Sequence, residues 1–359
     1  MSLCLKKLSM KPSSKYPEGR GLDTKIPKGV TIETMHVPGF HWGEDRGYVN
    51  RVIPKRSSNT TCCLFIHGGG FVNGSPNSSY KPFTAQLAKH SGLVFYVPDY
   101  TLVPNAQYPV QLDQVLSLAN RIHRKYKNIV LMGDSAGGTI ALSAALKEPQ
   151  LFERCVFLSP WINLKSSILS YKPRQQVAKK GICGDPVFRG TAKEVATTSK
   201  GNGLQYLGKA MFERSAPANP AMATKAMLRS LPPSLFMVGD RETLRGEVLS
   251  FVGEAQAVNK HIYGHLYDGM WHDWPMYSDG CGSKRSVKSS KRALTQIATF
   301  LSSGKIDTPT ETPIMSIVLQ EGEDIRRKPS PTSRKRPHRR SRTRGKRPRG
   351  SKRRTHRRN

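Results

Sequence analysis

The chain has 359 residues, enough for one large domain with appendages or for two domains, and enough to bury a substantial core. It carries 58 Lys and Arg against 25 Asp and Glu, a formal charge of +33, with 37% hydrophobic residues. No apolar run reaches the roughly 18 residues a transmembrane helix needs, and the polar start MSLCLKKLSM has no apolar stretch of a secretory signal. The charge is partly local: residues 326–359 hold 18 Lys and Arg and no acid, leaving 40 basic and 25 acidic side chains elsewhere.

Residues 1–31 are polar and hold Pro12, Pro17 and Pro27, so they read as a loose lead-in contributing to a cap. Beyond them, short apolar runs alternate with longer helical patterns. CCLFI (62–66), LVFYV (93–97), NIVLM (128–132), CVFL (155–158), LFMV (235–238) and HIYGHLY (261–267) are predicted strands. Their apolarity is continuous rather than alternating, which suits a sheet covered on both faces. Helices are predicted over 80–90, 110–126, 138–146, 245–258 and 288–301. This alternation predicts an α/β fold with a mostly parallel sheet, spanning 32–303. Residues 165–230 lack a convincing strand and read as an insertion over one end of the sheet. Residues 304–359 read as a disordered linker and basic tail, too poor in apolar surface to offset their ordering entropy.

Six cysteines show no CxxC pair and no Cys/His metal spacing, so no metal site is expected. Cys62, Cys63 and Cys155 lie in apolar runs and read as small buried hydrophobes. Reduced thiols and no signal point to an intracellular protein, cytoplasmic or nuclear.

Gly133-Asp134-Ser135-Ala136-Gly137 is a GxSxG sequence. Alone it fits any Gly-rich turn, but NIVLM precedes it and GTIALSAAL follows. That is the strand–turn–helix of a nucleophile elbow, in which Ser is lifted from the sheet edge toward a helix N-terminus. His67-Gly68-Gly69-Gly70-Phe71 directly follows a predicted strand. Three successive glycines let backbone N–H groups face a tetrahedral oxyanion. The GK[ST] of a phosphate-binding P-loop is absent. A serine nucleophile needs a base, and the base an orienting acid, in the chain order Ser, acid, His. The acid candidates Asp240 and Glu242 follow the strand LFMV, and His272 follows the next predicted strand. His265 lies within that strand and reads as structural.

The chain resembles the hormone-sensitive-lipase-like branch of the α/β-hydrolase esterases over roughly residues 32–303. The resemblance rests on HGGGF, on GDSAGG (133–138), and on Met270, His272 and Met276. Asp99-Tyr100 with Pro104 and Pro109, and Leu158-Ser159-Pro160-Trp161, add to it. It implies Ser135 as nucleophile and His272 as base. It also implies an oxyanion hole of the Gly69, Gly70 and Ala136 N–H groups, and no cofactor. Its E-x-L register favours Glu242 as the acid, with Asp240 as the alternative. The family's DYRLAP is here Asp99-Tyr100-Thr101-Leu102-Val103-Pro104, lacking the Arg.

Hydrolysis of a small carboxylic ester is the activity so implied, and pairing through the sheet edge into a homodimer is compatible with the branch. The tail implies attraction to DNA or RNA, or recognition by import machinery; such tails occur on chromatin-associated and virion-packaged proteins. It lacks interleaved aromatics for base stacking. The competing reading is a catalytically silent hydrolase fold reused for binding or packaging.

Overall fold

The computed structural model describes residues 26–37, 47–165, 185, 187–188, 192–212, 215–277, 288–306 and 312–313. Six strands fall where the continuous apolar runs predict them: β3 (Thr61–Ile66), β4 (Val94–Pro98), β5 (Asn128–Asp134), β6 (Arg154–Leu158), β7 (Ser234–Gly239) and β8 (Ile262–Tyr267). Every residue of β3, β4, β6 and β7 is buried, the mark of strands covered on both faces. Two strands precede them that the sequence reading does not name, β1 (Val30–His36) and β2 (Tyr48–Pro54). β1 is an edge strand with mixed exposure, so its apolar signal is weak; it begins inside the segment expected as lead-in.

The sheet runs β1-β2-β4-β3-β5-β6-β7-β8-β9, where β9 is only Thr312–Pro313, within the segment expected as linker. β4, β3, β5, β6, β7 and β8 are mutually parallel, and β1, β2 and β9 join antiparallel. The chain steps from β3 outward to β4, then returns past β3 to β5. That reversal is the switch point beyond whose carboxyl ends α/β folds place their ligands.

The helices are α1 (Tyr80–Ser91), α2 (Val110–Ile122), α3 (Ser135–Lys147), α4 (Ala192–Leu207), α5 (Lys225–Ser230), α6 (Arg245–Gln256) and α7 (Lys288–Ser303). Alternate strand residues supply two cores. Cys62, Leu64, Ile66 and Leu131 pack with α2, α3 and α6 on one face. Cys63, Phe65, Val130 and Met132 pack with α1 and α7 on the other. Cys62, Cys63 and Cys155 are free and buried, and burial pushes the Cys62 thiol up to about 12, so it behaves as a hydrophobe.

Two boundaries differ most from expectation. α2 stops at Ile122, and Tyr126 is buried beyond its end, where it packs edge-on to Tyr96. α3 starts at Ser135, because the elbow itself opens the helix. The insertion contributes α4 and α5, while 166–184 lies outside the described residues, as do 1–25 and the basic tail. Among the described residues no helix is long and apolar enough to cross a membrane, and no cluster of His, Cys, Asp and Glu could hold a metal ion.

Candidate active site

β5 passes into α3 through a sharp corner. Asp134 is extended, and Ser135 then turns to φ +51°, a left-handed conformation that costs a residue with a Cβ about 1–2 kcal/mol. The corner presses against the end of β3: a Cβ at Gly137 would run into the carbonyl groups of Ile66 and His67. This close approach explains the glycine two residues after Ser135. It places the first turn of α3, with N–H groups that have no partner within the helix, beside Ser135 Oγ.

The loop after β3 is held from below. The buried His67 ring stacks on Tyr100, with centroids 4.4 Å apart, and the Tyr100 hydroxyl donates to the His67 carbonyl at 2.9 Å. Burial pushes the His67 imidazole down to about 4, so it is neutral at pH 7 and serves as packing. The Gly68 N–H lies 2.9 Å from both Asp134 Oδ1 and the Tyr80 hydroxyl, which itself donates to Asp134 Oδ2 at 2.7 Å. Asp134 thus ties the serine corner to the glycine loop. Burial, and then the charge of Asp273, hold its carboxyl well above the ordinary range. Gly69 adopts φ +115°, and a Cβ there would meet the Asn73 carbonyl, so this turn demands glycine. Gly69 and Gly70 are half-buried, while His67, Gly68 and Gly133 are buried.

Glu242 and His272 arrive from the ends of β7 and β8. His272 Nε2 lies 2.9 Å from Ser135 Oγ, and Nδ1 lies 3.3 Å from Glu242 Oε2. Glu242 Oε1 accepts from the Ser159 hydroxyl at 2.6 Å and from the Gly239 N–H at 2.7 Å. Burial pushes the Glu242 carboxyl up to about 7, partly opposed by the hydrogen bond and charge of His272. Of the two candidate acids, Glu242 is therefore the one on the imidazole. Asp240 sits at the strand end, its N–H donating to the Tyr267 carbonyl. His265 is buried within β8.

Five further residues complete the surroundings. Ser159, in the Leu158-Ser159-Pro160-Trp161 stretch, accepts the Asp273 N–H at 3.1 Å and so links the histidine loop to Glu242. Asp273 Oδ2 stands 3.1 Å from His272 Nε2. Asp185, from the insertion, accepts the Thr243 N–H at 3.0 Å and a hydrogen bond from the His272 backbone, tying the acid and histidine loops together. Phe188 sets its ring edge-on to His272, centroids 4.9 Å apart. Tyr206 of α4 stacks on Phe71 at 4.0 Å, which brings the insertion over the glycine loop. Asp185 has no signal in the sequence: an isolated acid in a polar segment gains meaning only from the N–H groups of Thr243, Val187 and His272 that it meets.

A base, an acid and a hydroxyl aligned in this way can deprotonate the hydroxyl for attack on a carbonyl. Residues 63–276 match a family described as alpha/beta hydrolase fold. The chain is 25% identical over 308 residues to an esterase of Acinetobacter venetianus, covering 84% of this chain and 92% of that protein. It is 24% identical over 234 residues to an acetyl-hydrolase of Streptomyces hygroscopicus, covering 63% and 72%. The fold is similar to that of an esterase from the bacterial hormone-sensitive lipase (HSL) family, with TM-score 0.65 and 21% identity, over 83% of this chain and 95% of that one. Matched over more than half its length, and with the parallel sheet, the corner after β5 and the loop after β3 in place, the chain belongs to the α/β-hydrolase-fold family.

Proposed function

We propose that the chain is a serine hydrolase that cleaves small carboxylic esters through an acyl-enzyme on Ser135. The observation that carries this reading is the contact of His272 Nε2 with Ser135 Oγ at 2.9 Å, backed by Glu242 on Nδ1. The names of the esterase and acetyl-hydrolase relatives support the same chemistry. Ser135 Oγ attacks the ester carbonyl while its proton passes to Nε2 of neutral His272. The oxyanion is held by the N–H groups of Gly69, Gly70 and Ala136. The C–O bond breaks, and Nε2 returns the proton to the leaving alcohol. A water then loses its proton to Nε2, attacks the acyl carbonyl and releases the acid with Ser135 restored. Residues 32–303 form the hydrolase domain in this reading, with the insertion near 165–230 covering the pocket.

The test is labelling with a fluorophosphonate probe and hydrolysis of p-nitrophenyl acetate by the full chain. One adduct at Ser135, with turnover that falls roughly 10⁴–10⁶-fold in Ser135→Ala, is the expected result. A folded protein that takes no adduct overturns the reading in favour of a silent binding or packaging module.

The tail is read as a polyanion-binding or nuclear-import segment, on the strength of 18 basic residues without an acid in 326–359. Duplex DNA binding that weakens steeply with salt, and is lost when residues 326–359 are removed, is the corresponding test.

A further inference from the structure

One nitrogen of His272 has two neighbours and holds at most one proton. Ser135 Oγ is 2.9 Å from Nε2, and Asp273 Oδ2 is 3.1 Å from the same atom. The serine hydroxyl donates to Nε2 only when that nitrogen is bare. A charged carboxylate at 3.1 Å is attracted only when the nitrogen carries its proton, because otherwise lone pairs face each other. The two contacts therefore belong to opposite states of the imidazole.

Asp273 is built into place. It is buried, its backbone is left-handed at φ +54°, and its N–H donates to Ser159, whose hydroxyl donates to Glu242. Its Oδ1 is buried without a hydrogen-bond partner among the described residues. We propose that Asp273 is a positioning residue for His272, holding the imidazolium on its serine-facing nitrogen and so setting how much of the histidine is free to take the Ser135 proton. This rests on the serine hydrolase reading of the same site.

The other groups facing His272 are Glu242 and Asp185 beside the loop, Asp134 below Ser135, and Glu247 on α6. Burial pushes all four carboxyls up, Glu242 to about 7 and Glu247 to about 8. Burial alone would push the His272 imidazole down. Asp273 and then Glu242 raise it well above the ordinary histidine value.

The test uses the full chain labelled with ¹⁵N-histidine, its ring signals assigned with His272→Gln, and titrated by NMR. The wild type should show His272 as imidazolium at pH 7. Asp273→Asn keeps the shape and tolerates the left-handed backbone, and should lower the midpoint. The acid limb of kcat/KM for p-nitrophenyl acetate should move down with it. A neutral His272 at pH 7 in the wild type, or an unchanged midpoint in Asp273→Asn, overturns the proposal, and the first of these needs no variant to fold. A purely structural role would lower kcat without moving the limb. The titration reads the same whether or not the protein turns over esters, so failure of the hydrolase reading stays distinguishable.

Discussion

At the scale of single residues, Glu242 is the most exposed to test. Its two oxygens are shared among His272 Nδ1, the Ser159 hydroxyl and the Gly239 N–H. Gln at 242 keeps the size, but one of its terminal atoms becomes a donor, which must face either another donor or the imidazole. The wrong tautomer then turns Nε2 into a donor toward Ser135. We expect Glu242→Gln to lower kcat about 10⁴-fold with little change in the thermal midpoint, read by steady-state kinetics and calorimetry. Gly69→Ala is expected to act differently. At φ +115° a Cβ meets the Asn73 carbonyl, so the loop must move and its N–H groups lose their aim. A loss of about 10²–10³-fold in kcat, with fluorophosphonate labelling slowed to match, is expected. Ser135, His272 and the three glycines were legible in the sequence, because each sits at a fixed offset from an apolar run. The choice between Asp240 and Glu242 was legible only through the E-x-L register of the resemblance, since both lie within three residues of the end of β7 and differ in which way the turn points them.

At the scale of elements, the helices show why some boundaries were readable. α7 buries Ser290, Ala293, Leu294, Ile297, Ala298, Phe300 and Leu301, a stripe at three- and four-residue spacing that its sequence displays. α3 buries every residue but Lys147, so it carries no stripe at all and was found through the serine motif instead. Its start lies earlier than periodicity suggests because the helix opens at the corner, directly after the left-handed serine. The end of α7 is held by a residue no pattern would flag. Arg154, on β6, donates Nε and Nη2 to the Leu301 carbonyl at 3.2 and 3.0 Å. A guanidinium at a helix C-terminus meets both the unpaired carbonyl and the negative end of the dipole. Arg154→Ala leaves that buried carbonyl unmet and should destabilise the fold by about 1–3 kcal/mol in urea unfolding, with the ester-hydrolysis rate at Ser135 unchanged in the folded fraction.

At the scale of the whole molecule, buried ionisable groups set the pH dependence of stability, and they pull in opposite directions. His67 is held down to about 4 in the fold, against about 6.5 when unfolded. Between those values the unfolded chain binds the extra proton, so stability present above about pH 6.5 is lost as pH falls toward 4. The full loss is about 3 kcal/mol. Glu242 and Glu247 are pushed up to about 7 and about 8, so there the fold binds the extra protons and their contribution weakens as pH rises through that range. The His67 part is isolated by comparison. The thermal midpoint of the wild type should drop more between pH 7 and pH 5 than that of His67→Gln, and equal drops would remove His67 from the account.

The sequence by itself determined the strand–helix alternation, the two-sided burial of the central strands, and the serine corner and glycine loop at the ends of β5 and β3. These are local properties: continuous apolar runs, glycines where a Cβ cannot fit, and a serine between a strand and a helix. Only the tertiary structure decided that β1 and β2 extend the sheet and that Glu242 lies on His272. It alone shows that Asp185 joins two loops, and that Asp273 shares the nitrogen that faces Ser135. Each depends on partners far apart in the chain, such as Ser135 and His272, 137 positions apart. The meaning of such a side chain is set by the charge and geometry of neighbours that no local pattern encodes.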